Sequence, residues 1–206
     1  MYTPSAFRPT NEQLKALMQA TGLAVVVTHD EQGFEATHLP LLFQADEGPY
    51  GTLYGHFAKA NPHWSRLRDA PENLVIFAGP DAYVSPSYYP SKAQHGRVVP
   101  TWNYVAVHAY GPAEIVEEPA QLRSMLAYLS SRHEQDRPVP WHLDDAPADY
   151  LDGLLKGIVG FRLTIARLEG QWKLSQNRSA EDRAGVRTGL ASHPGHEDIV
   201  QHMTYL

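Results

Sequence analysis

The feature that most narrows what this chain can fold into is a series of short β-patterned segments, each closed by turn residues. "LAVVVTH", "FEATHLPLLFQ", "TLYGHF", "NLVIFAG", "AYVS" and "TWNYVAVHAYGPAEIVE" are rich in β-branched and aromatic residues. "DEQG" and "ADEGPYG" separate the first three and read as turns. No strand–helix–strand alternation runs through this half of the chain. The expectation is a mainly β, α+β chain: an antiparallel barrel or sheet with peripheral helices.

The helices announce themselves by their ends. In "TNEQLKALMQATG", Thr10 and Gln13 make a capping box, Leu14, Leu17 and Met18 share a face, and Gly22 is the stop. "KANPHWSRLRD" reads as a short helix. "EPAQLRSMLAYLSSRHE" has Pro119 in its first turn and apolar residues at 122, 125, 126 and 129. "PADYLDGLLKGI" is a further helix. "VGFRLTIARLEG" and "QWKLSQN" then read as an antiparallel pair turning at Glu169–Gly170, and Ser179 with Asp182 opens a helix at "SAEDRAGVRTGL". One more short helix is expected in the tail from His193 to Leu206. No repeat or linker divides the chain, so a single domain over residues 1–206 is expected, with a helical extension from about residue 179.

Composition removes several functions. An apolar fraction of 43% with 19% charged residues is globular, and there are no cysteines, which excludes thiolate catalysis, Cys-ligated zinc and iron–sulfur clusters. Absence of cysteine fits a reducing cytoplasm, and the expected location is cytoplasmic. The longest apolar run, Leu23 to Val27, is far short of the roughly 20 residues a spanning helix needs, so no membrane association is expected. The N-terminus has neither a basic nor an apolar region, so no signal peptide is expected. With a formal net charge of −6 and no Lys/Arg run, direct DNA binding is expected to be weak.

Nucleotide-loop, serine-hydrolase and zinc-protease motifs are absent. The eleven histidines include His193, His196 and His202 near the end, but Pro194 and Gly195 disfavour one rigid metal-binding face, so no metal site is expected. Four polar clusters are more informative. "ATHLPLL" places Thr37 and His38 on a strand ahead of Leu39 and Pro40, where an apolar alternation would be easier. "GHFAKANPHW" runs from a strand end into a helix start, and its Lys59 and Asn61 could join free backbone N–H groups to hold a phosphate. "SPSYYPSK…VPTWNY" offers Ser85, Ser87, Lys92, Trp102, Asn103 and Tyr104 in a segment stiffened by prolines. "EGQWKLSQNR" ends in Ser175, Gln176, Asn177 and Arg178. Each has a plain structural alternative: a solvated charge, a core aromatic, a helix entry or a rigid surface loop. Together they supply hydroxyls, amides, cations and aromatic planes, a set suited to a phosphate-bearing aromatic ligand.

These clusters also carry a resemblance. "ATHLPLL", "GTLYGHFAKANPHW", "IFAGPDAYVSPSYYPSK", "VPTWNY", "AVHAYG" and "KLSQNR" look like the PaiB family of FMN-binding negative transcriptional regulators. The likeness runs from "MYTPSAF" to about "VRTGL". It implies a flavin split-barrel fold like that of pyridoxamine-phosphate oxidase, and a homodimer with FMN at the subunit interface. On the family pattern, His56, Lys59 and Asn61 match the FMN phosphate site. Thr37, His38, Leu39 and Pro40 would lie beside the ribityl chain and ring edge. Ser85, Ser87, Lys92, Trp102 and Asn103 would line the same interface, with Gln176 and Asn177 as further cofactor contacts. The chain departs from the pattern at Tyr88, where Trp is usual, and at Lys59, where Arg is common. Arg grips phosphate with a two-pronged fork and Lys as a point charge, so affinity is what this departure touches.

Three functions stay open at this level: a flavin-binding regulator, an FMN-dependent oxidoreductase working with a nicotinamide, and a flavin or haem storage or degradation module with His38 or a C-terminal histidine as candidate iron ligand. In the second the cofactor would carry the chemistry, so the absence of an acid–base pair does not exclude it, and no catalytic residue is assigned.

Overall fold

Prolines and close-packed glycines decide where the strands stop. The computed structural model describes residues 1–204. Its backbone groups into two compact units, one from Met18–Phe77 with His108–Leu168, the other from Met1–Leu17, Ala78–Val107 and the residues from Glu169 onward. The fold class is the one expected, antiparallel sheets with peripheral helices, of split-barrel type.

In the unit holding Met18–Phe77, β1 (Ala24–Asp30) and β2 (Gly33–Leu39) form a hairpin with Val25 opposite His38, Val27 opposite Ala36 and His29 opposite Phe34. β3 (Leu42–Gln44) and β4 (Thr52–Ala58) pair antiparallel in a different sheet. "FEATHLPLLFQ" is therefore two strands, not the one expected. Pro40 has no N–H to continue a ladder, and the chain changes sheets there. β5 (Asn73–Val84) pairs with β1 through Leu74, Val75 and Ile76, and it runs straight through Pro80. The sequence reads as two strands at this point, but pairing with β1 ends at Ile76, so Pro80 has no N–H to supply on that side. Short helix α2 (His63–Asp69) packs on β1 and β2.

Further along, α3 (Ser91–His95) precedes β6 (Thr101–Gly111), and β7 (Ala113–Val116) follows beyond Pro112. α4 (Pro119–Glu134) and α5 (Ala148–Leu155) lead to β8 (Ile158–Thr164) and β9 (Arg167–Lys173). One sheet has the order β2-β1-β5-β6-β9 and the other β3-β4-β8-β7. The hairpin expected at Glu169–Gly170 is overturned: β8 pairs with β4 and β7, while β9 belongs to the other sheet. Gly170 is not a turn glycine. It lies inside β9 because a Cβ there would stand 2.2 Å from Leu14 Cδ2. The change of sheet occurs at Ile165 and Ala166, whose N–H groups donate to Gly51 O (3.0 Å) and Tyr110 O (2.8 Å). The core of this unit is built from Val26, Leu53, Phe57, Leu67, Val75, Phe161 and Leu163. Gly160 leaves room for Leu122 and Met125 of α4.

In the other unit, α1 (Asn11–Ala20) begins with the expected reciprocal cap: Gln13 N donates to Thr10 Oγ1 (3.3 Å) and Thr10 N to Gln13 Oε1 (2.8 Å). α6 (Ala180–Ala191) is capped by Ser179, whose Oγ accepts from Asp182 N (3.2 Å). α7 (Glu197–Thr204) is the tail helix, with Tyr205 and Leu206 outside the described residues.

The proline-stiffened segment is docked on α6. Buried Asp182 accepts from Ser91 N (3.1 Å) and Ser91 Oγ (2.8 Å), and the Arg178 guanidinium sits 4.9 Å over the ring of Tyr89, itself only 2% exposed. Two α6 glycines admit the segment. A Cβ on Gly185 would lie 2.2 Å from the Tyr88 carbonyl oxygen, and one on Gly189 would lie 2.3 Å from the Tyr88 ring. Gly153 on α5 has nothing within 4 Å of such a Cβ. Gly185→Ala should therefore destabilise the protein by about 1–3 kcal/mol through overpacking. Gly153→Ala should stabilise it by about 0.5–1 kcal/mol through helix propensity. Urea midpoints of the two variants measure both, and equal shifts in one direction would contradict this packing.

Candidate functional site

β2 is an edge strand whose two faces meet different surroundings, and the Thr37–Pro40 cluster sits on it. His38 faces outward, level with Val25 and, one strand further, Ile76. Leu39 is buried, Pro40 ends the strand, and Thr37 turns toward α2. There Thr37 Oγ1 lies 2.7 Å from Nδ1 of His63, a residue with 0% exposure. The other ring nitrogen, His63 Nε2, lies 2.9 Å from Thr28 Oγ1. Thr28 donates to Asn73 Oδ1 (2.6 Å), and Asn73 Nδ2 donates to Leu67 O (3.0 Å). Asn61 joins from the other side, its Nδ2 donating to Thr37 Oγ1 (3.4 Å) while its Oδ1 accepts from His63 N (3.0 Å). Burial holds the His63 ring below its ordinary pKa, as does the nearby Arg66 charge, against an upward pull from Glu35.

Arg66, one turn along α2, locks the hairpin beside this chain. Its Nε and Nη2 donate to the two oxygens of Asp30 (2.6 Å each), Nη1 to Glu35 Oε2 (2.6 Å) and Nη2 to Gly33 O (2.7 Å). The Arg66 hydrogen bonds keep the Asp30 carboxyl below its ordinary range.

His56 and Lys59 lie away from that chain of hydrogen bonds. His56 is on β4 opposite Gly160; its Nδ1 is buried with no hydrogen-bond partner among the described residues, and burial lowers its pKa. Lys59 lines a cavity of about 480 Å³ with Pro119, Leu122, Leu155 and Ile158, where Lys156 adds a second cation and Glu117 and Asp152 add carboxylates. Two of the backbone N–H groups here are taken: Lys59 N donates to Gly157 O (2.8 Å), just ahead of β8, and Asn61 N donates to Ala58 O (2.9 Å) within the turn.

The remaining candidates belong to the other unit. Ser85 and Ser87 hydroxyls lie 2.7 Å apart, and Ser85 Oγ accepts from Ser87 N (3.2 Å) in a local turn. Lys92 and Asn177 are exposed. Trp102 is 52% exposed and meets Tyr83 edge-on at 6.0 Å. Asn103 is fully buried; its Oδ1 accepts from Ser175 Oγ (3.0 Å), and its Nδ2 points at Met203 Sδ (3.5 Å). Ser175 is the one non-glycine residue with positive φ among those described, at +67°, and the Asn103 bond holds it there. Gln176 turns back on β9, accepting from Leu174 N (2.7 Å) and donating to Trp172 O. Lys173 Nζ donates to Thr101 Oγ1 (2.6 Å) and to Trp102 O; burial, then Arg178, keeps its pKa below the ordinary lysine value.

So Thr37 joins Asn61, and Asn103 joins the Ser175 turn. Sequence reading missed His63, Thr28, Asn73 and Lys173. A signal was present for the first: His63 follows Asn61-Pro62 at a helix start, a position where a ring nitrogen can meet a neighbouring strand.

Residues 1–167 match the family model described as "Putative FMN-binding domain". The chain is a member of that family. Its relatives include "Protease synthase and sporulation protein PAI 2" of Bacillus subtilis, 39% identical over 189 residues that cover 90% of this chain and 87% of that protein. In fold it is similar to the FAD and heme binding protein of Mycobacterium smegmatis, with a TM-score of 0.60 and 16% identity over 85% of this chain and 77% of that one. It is likewise similar to the flavocytochrome Anf3 of Azotobacter vinelandii, with a TM-score of 0.58 and 19% identity over 86% and 74% of the two chains. The FMN-binding-domain match takes in the whole Thr37–His63 cluster, Lys59, Trp102 and Asn103, and stops short of Gln176 and Asn177. No helix among the described residues is long and apolar enough to cross a membrane.

The buried imidazole makes stability depend on pH. The unfolded chain takes up a proton at His63 as pH falls through about its ordinary value of 6.5, whereas the folded chain resists until lower pH. Stability is therefore full above that value and declines as pH drops below it. Urea midpoints at pH 7.5 and 5.0 should show the decline, and His63→Gln, less stable overall, should show a shallower one. An unchanged pH slope in that variant would contradict the assignment.

Proposed function

We propose that this protein binds FMN and acts, as a homodimer, as a regulator of the PaiB kind. Family membership supports the flavin, and one structural observation carries the reading furthest: the outer face of β2, β1 and β5 is apolar yet open. Val25, Val27, Leu74 and Ile76 are half-buried on it, and Phe34 on the edge strand is 79% exposed. Such a face is costly to leave in water and suits burial against a second copy. The edge of β2, with His38 on that face and Thr37 on the other, offers backbone and side-chain hydrogen-bonding groups to a flavin seated beside it. Lys59 and Lys156 supply cationic charge for the phosphate. FMN, when bound, supplies redox and light-absorbing chemistry; the chain's own residues hold and orient it. Regulation through the flavin or the dimer, in the cytoplasm, fits a net charge of −6 better than strong direct contact with DNA.

Light scattering at micromolar protein should give a dimer mass, and Val27→Glu combined with Phe34→Glu should give a monomer. A monomer mass for the unaltered protein removes the dimer. An absorbance spectrum of freshly purified protein, with mass identification of any released cofactor, tests the flavin. Bleaching of that spectrum by a reduced nicotinamide would favour the oxidoreductase reading.

Lys59→Ala should weaken FMN binding by about 10- to 150-fold, the equivalent of about 1.5–3 kcal/mol for a hydrogen bond to a charged group. Lys59→Arg should bind as well or better. Riboflavin, which lacks the phosphate, should be nearly indifferent to both changes. If Lys59→Ala weakened riboflavin as much as FMN, the phosphate would lie elsewhere.

A further inference from the structure

The chain of side chains through His63 has a direction, and a backbone carbonyl at one end sets it. At one end the Leu67 carbonyl can only accept, so the group of Asn73 facing it (3.0 Å) is the Nδ2 donor. Asn73 Oδ1 then faces Thr28, and the single Thr28 hydroxyl proton goes to it (2.6 Å). Thr28 Oγ1 has only lone pairs left for His63 Nε2 (2.9 Å), which must carry a hydrogen. In a neutral ring Nδ1 is then a bare acceptor, and Thr37 Oγ1 spends its one proton on it (2.7 Å). At the other end the His63 backbone N–H can only donate, so Asn61 Oδ1 faces it (3.0 Å) and Asn61 Nδ2 faces Thr37 (3.4 Å) as a donor. That end is compatible with the order set from Leu67, since Thr37 Oγ1 can accept from Asn61 while donating to His63.

We propose that His63 is a positioning residue that fixes the hydroxyl of Thr37 as a hydrogen-bond acceptor, so that the ligand group bound at Thr37 is a hydroxyl or N–H donor and not a phosphate. This rests on the flavin reading above and sharpens it. Thr37 is half-buried, and a hydroxyl there whose proton is committed to the interior has only a lone pair to offer a ligand. A phosphate oxygen there would meet lone pair against lone pair, whereas a ribityl hydroxyl can donate to it. The phosphate is thereby assigned to a separate place from Thr37. The ring stays neutral because it has no exposed surface and lies edge-on to Phe57 at 5.2 Å; of the charges that face it, Arg66 opposes its protonation and Glu35 favours it. Were the ring to gain a proton, Nδ1 would donate to Thr37, and the Thr37 hydrogen would be released outward.

Two measurements test this. Nitrogen-resolved NMR of the His63 ring in the full chain at pH 7.5, without flavin, should show the neutral Nε2–H tautomer; the Nδ1–H tautomer or an imidazolium would overturn the proposal. Titrations of FMN, riboflavin and lumiflavin, which lacks the ribityl chain, address the ligand. Thr37→Val should weaken FMN and riboflavin by the same factor, about 3- to 10-fold for one neutral hydrogen bond. Lumiflavin should be unaffected, and Thr37→Ser, which keeps the hydroxyl, should restore most of the loss. A Thr37→Val loss confined to FMN would place the phosphate at Thr37 and sink the idea. Failure of the unaltered protein to bind any of the three flavins would overturn the flavin reading itself, and the tautomer would still decide the polarity of Thr37.

Discussion

A histidine with no exposed surface is costly to a folded protein unless both ring nitrogens have partners, since an unsatisfied buried polar group costs about 1–3 kcal/mol. His63 meets that condition through Thr28 on β1 and Thr37 on β2, and Thr28 in turn depends on Asn73 at the start of β5. Helix α2 is thereby tied to three strands of one sheet by groups that each have a single workable orientation. An apolar residue at position 63 could fill the same space, but it would leave the Thr37 hydroxyl proton and a Thr28 lone pair without the ring nitrogens they meet. The arrangement specifies register as much as it stabilises: a slip of β2 by one residue would bring Ala36 or His38 to the ring in place of Thr37.

The same economy explains why β2 can be both structural and exposed. Its inward residues Glu35, Thr37 and Leu39 meet Arg66, His63 and the core, while Phe34, Ala36 and His38 look outward. Arg66 is the counterpart of His63 at the hairpin end, gathering Asp30, Glu35 and the Gly33 carbonyl with one guanidinium. An edge strand held this firmly from one side can leave its other face open, as a surface for a ligand or a second chain requires.

Elsewhere, rigidity comes from close approach. The segment from Tyr83 to Tyr104 is stiffened by prolines, which lowers the entropy lost on ordering it. Its fixed position comes from α6: Asp182 receives Ser91, and Gly185 and Gly189 let Tyr88 lie against the helix backbone. Asn103, where β6 begins, serves the neighbouring turn by holding Ser175 in a left-handed conformation that a non-glycine residue adopts at a cost of about 1–3 kcal/mol. Several hydroxyls and amides that look like ligand contacts in the sequence are thus occupied within the protein, Ser85 and Gln176 among them.

What the amino-acid sequence determined by itself was whatever depends on neighbours a few residues apart. The Thr10–Gln13 cap, the Ser179 cap and the antiparallel character of the short strands follow from periodicity and local hydrogen bonding. Long shared motifs also made the family legible. Tertiary structure alone decided that β8 and β9 part company, that Gly170 makes room for Leu14, and that "FEATHLPLLFQ" bends between two sheets at Pro40. It alone brought Thr28, Thr37, His63 and Asn73 together, since Thr28 and Asn73 are 45 residues apart in sequence. Each of those residues is unremarkable in its own segment. Their roles come from the desolvation of a ring and the room left by a missing Cβ, and those exist only once distant segments are packed against one another.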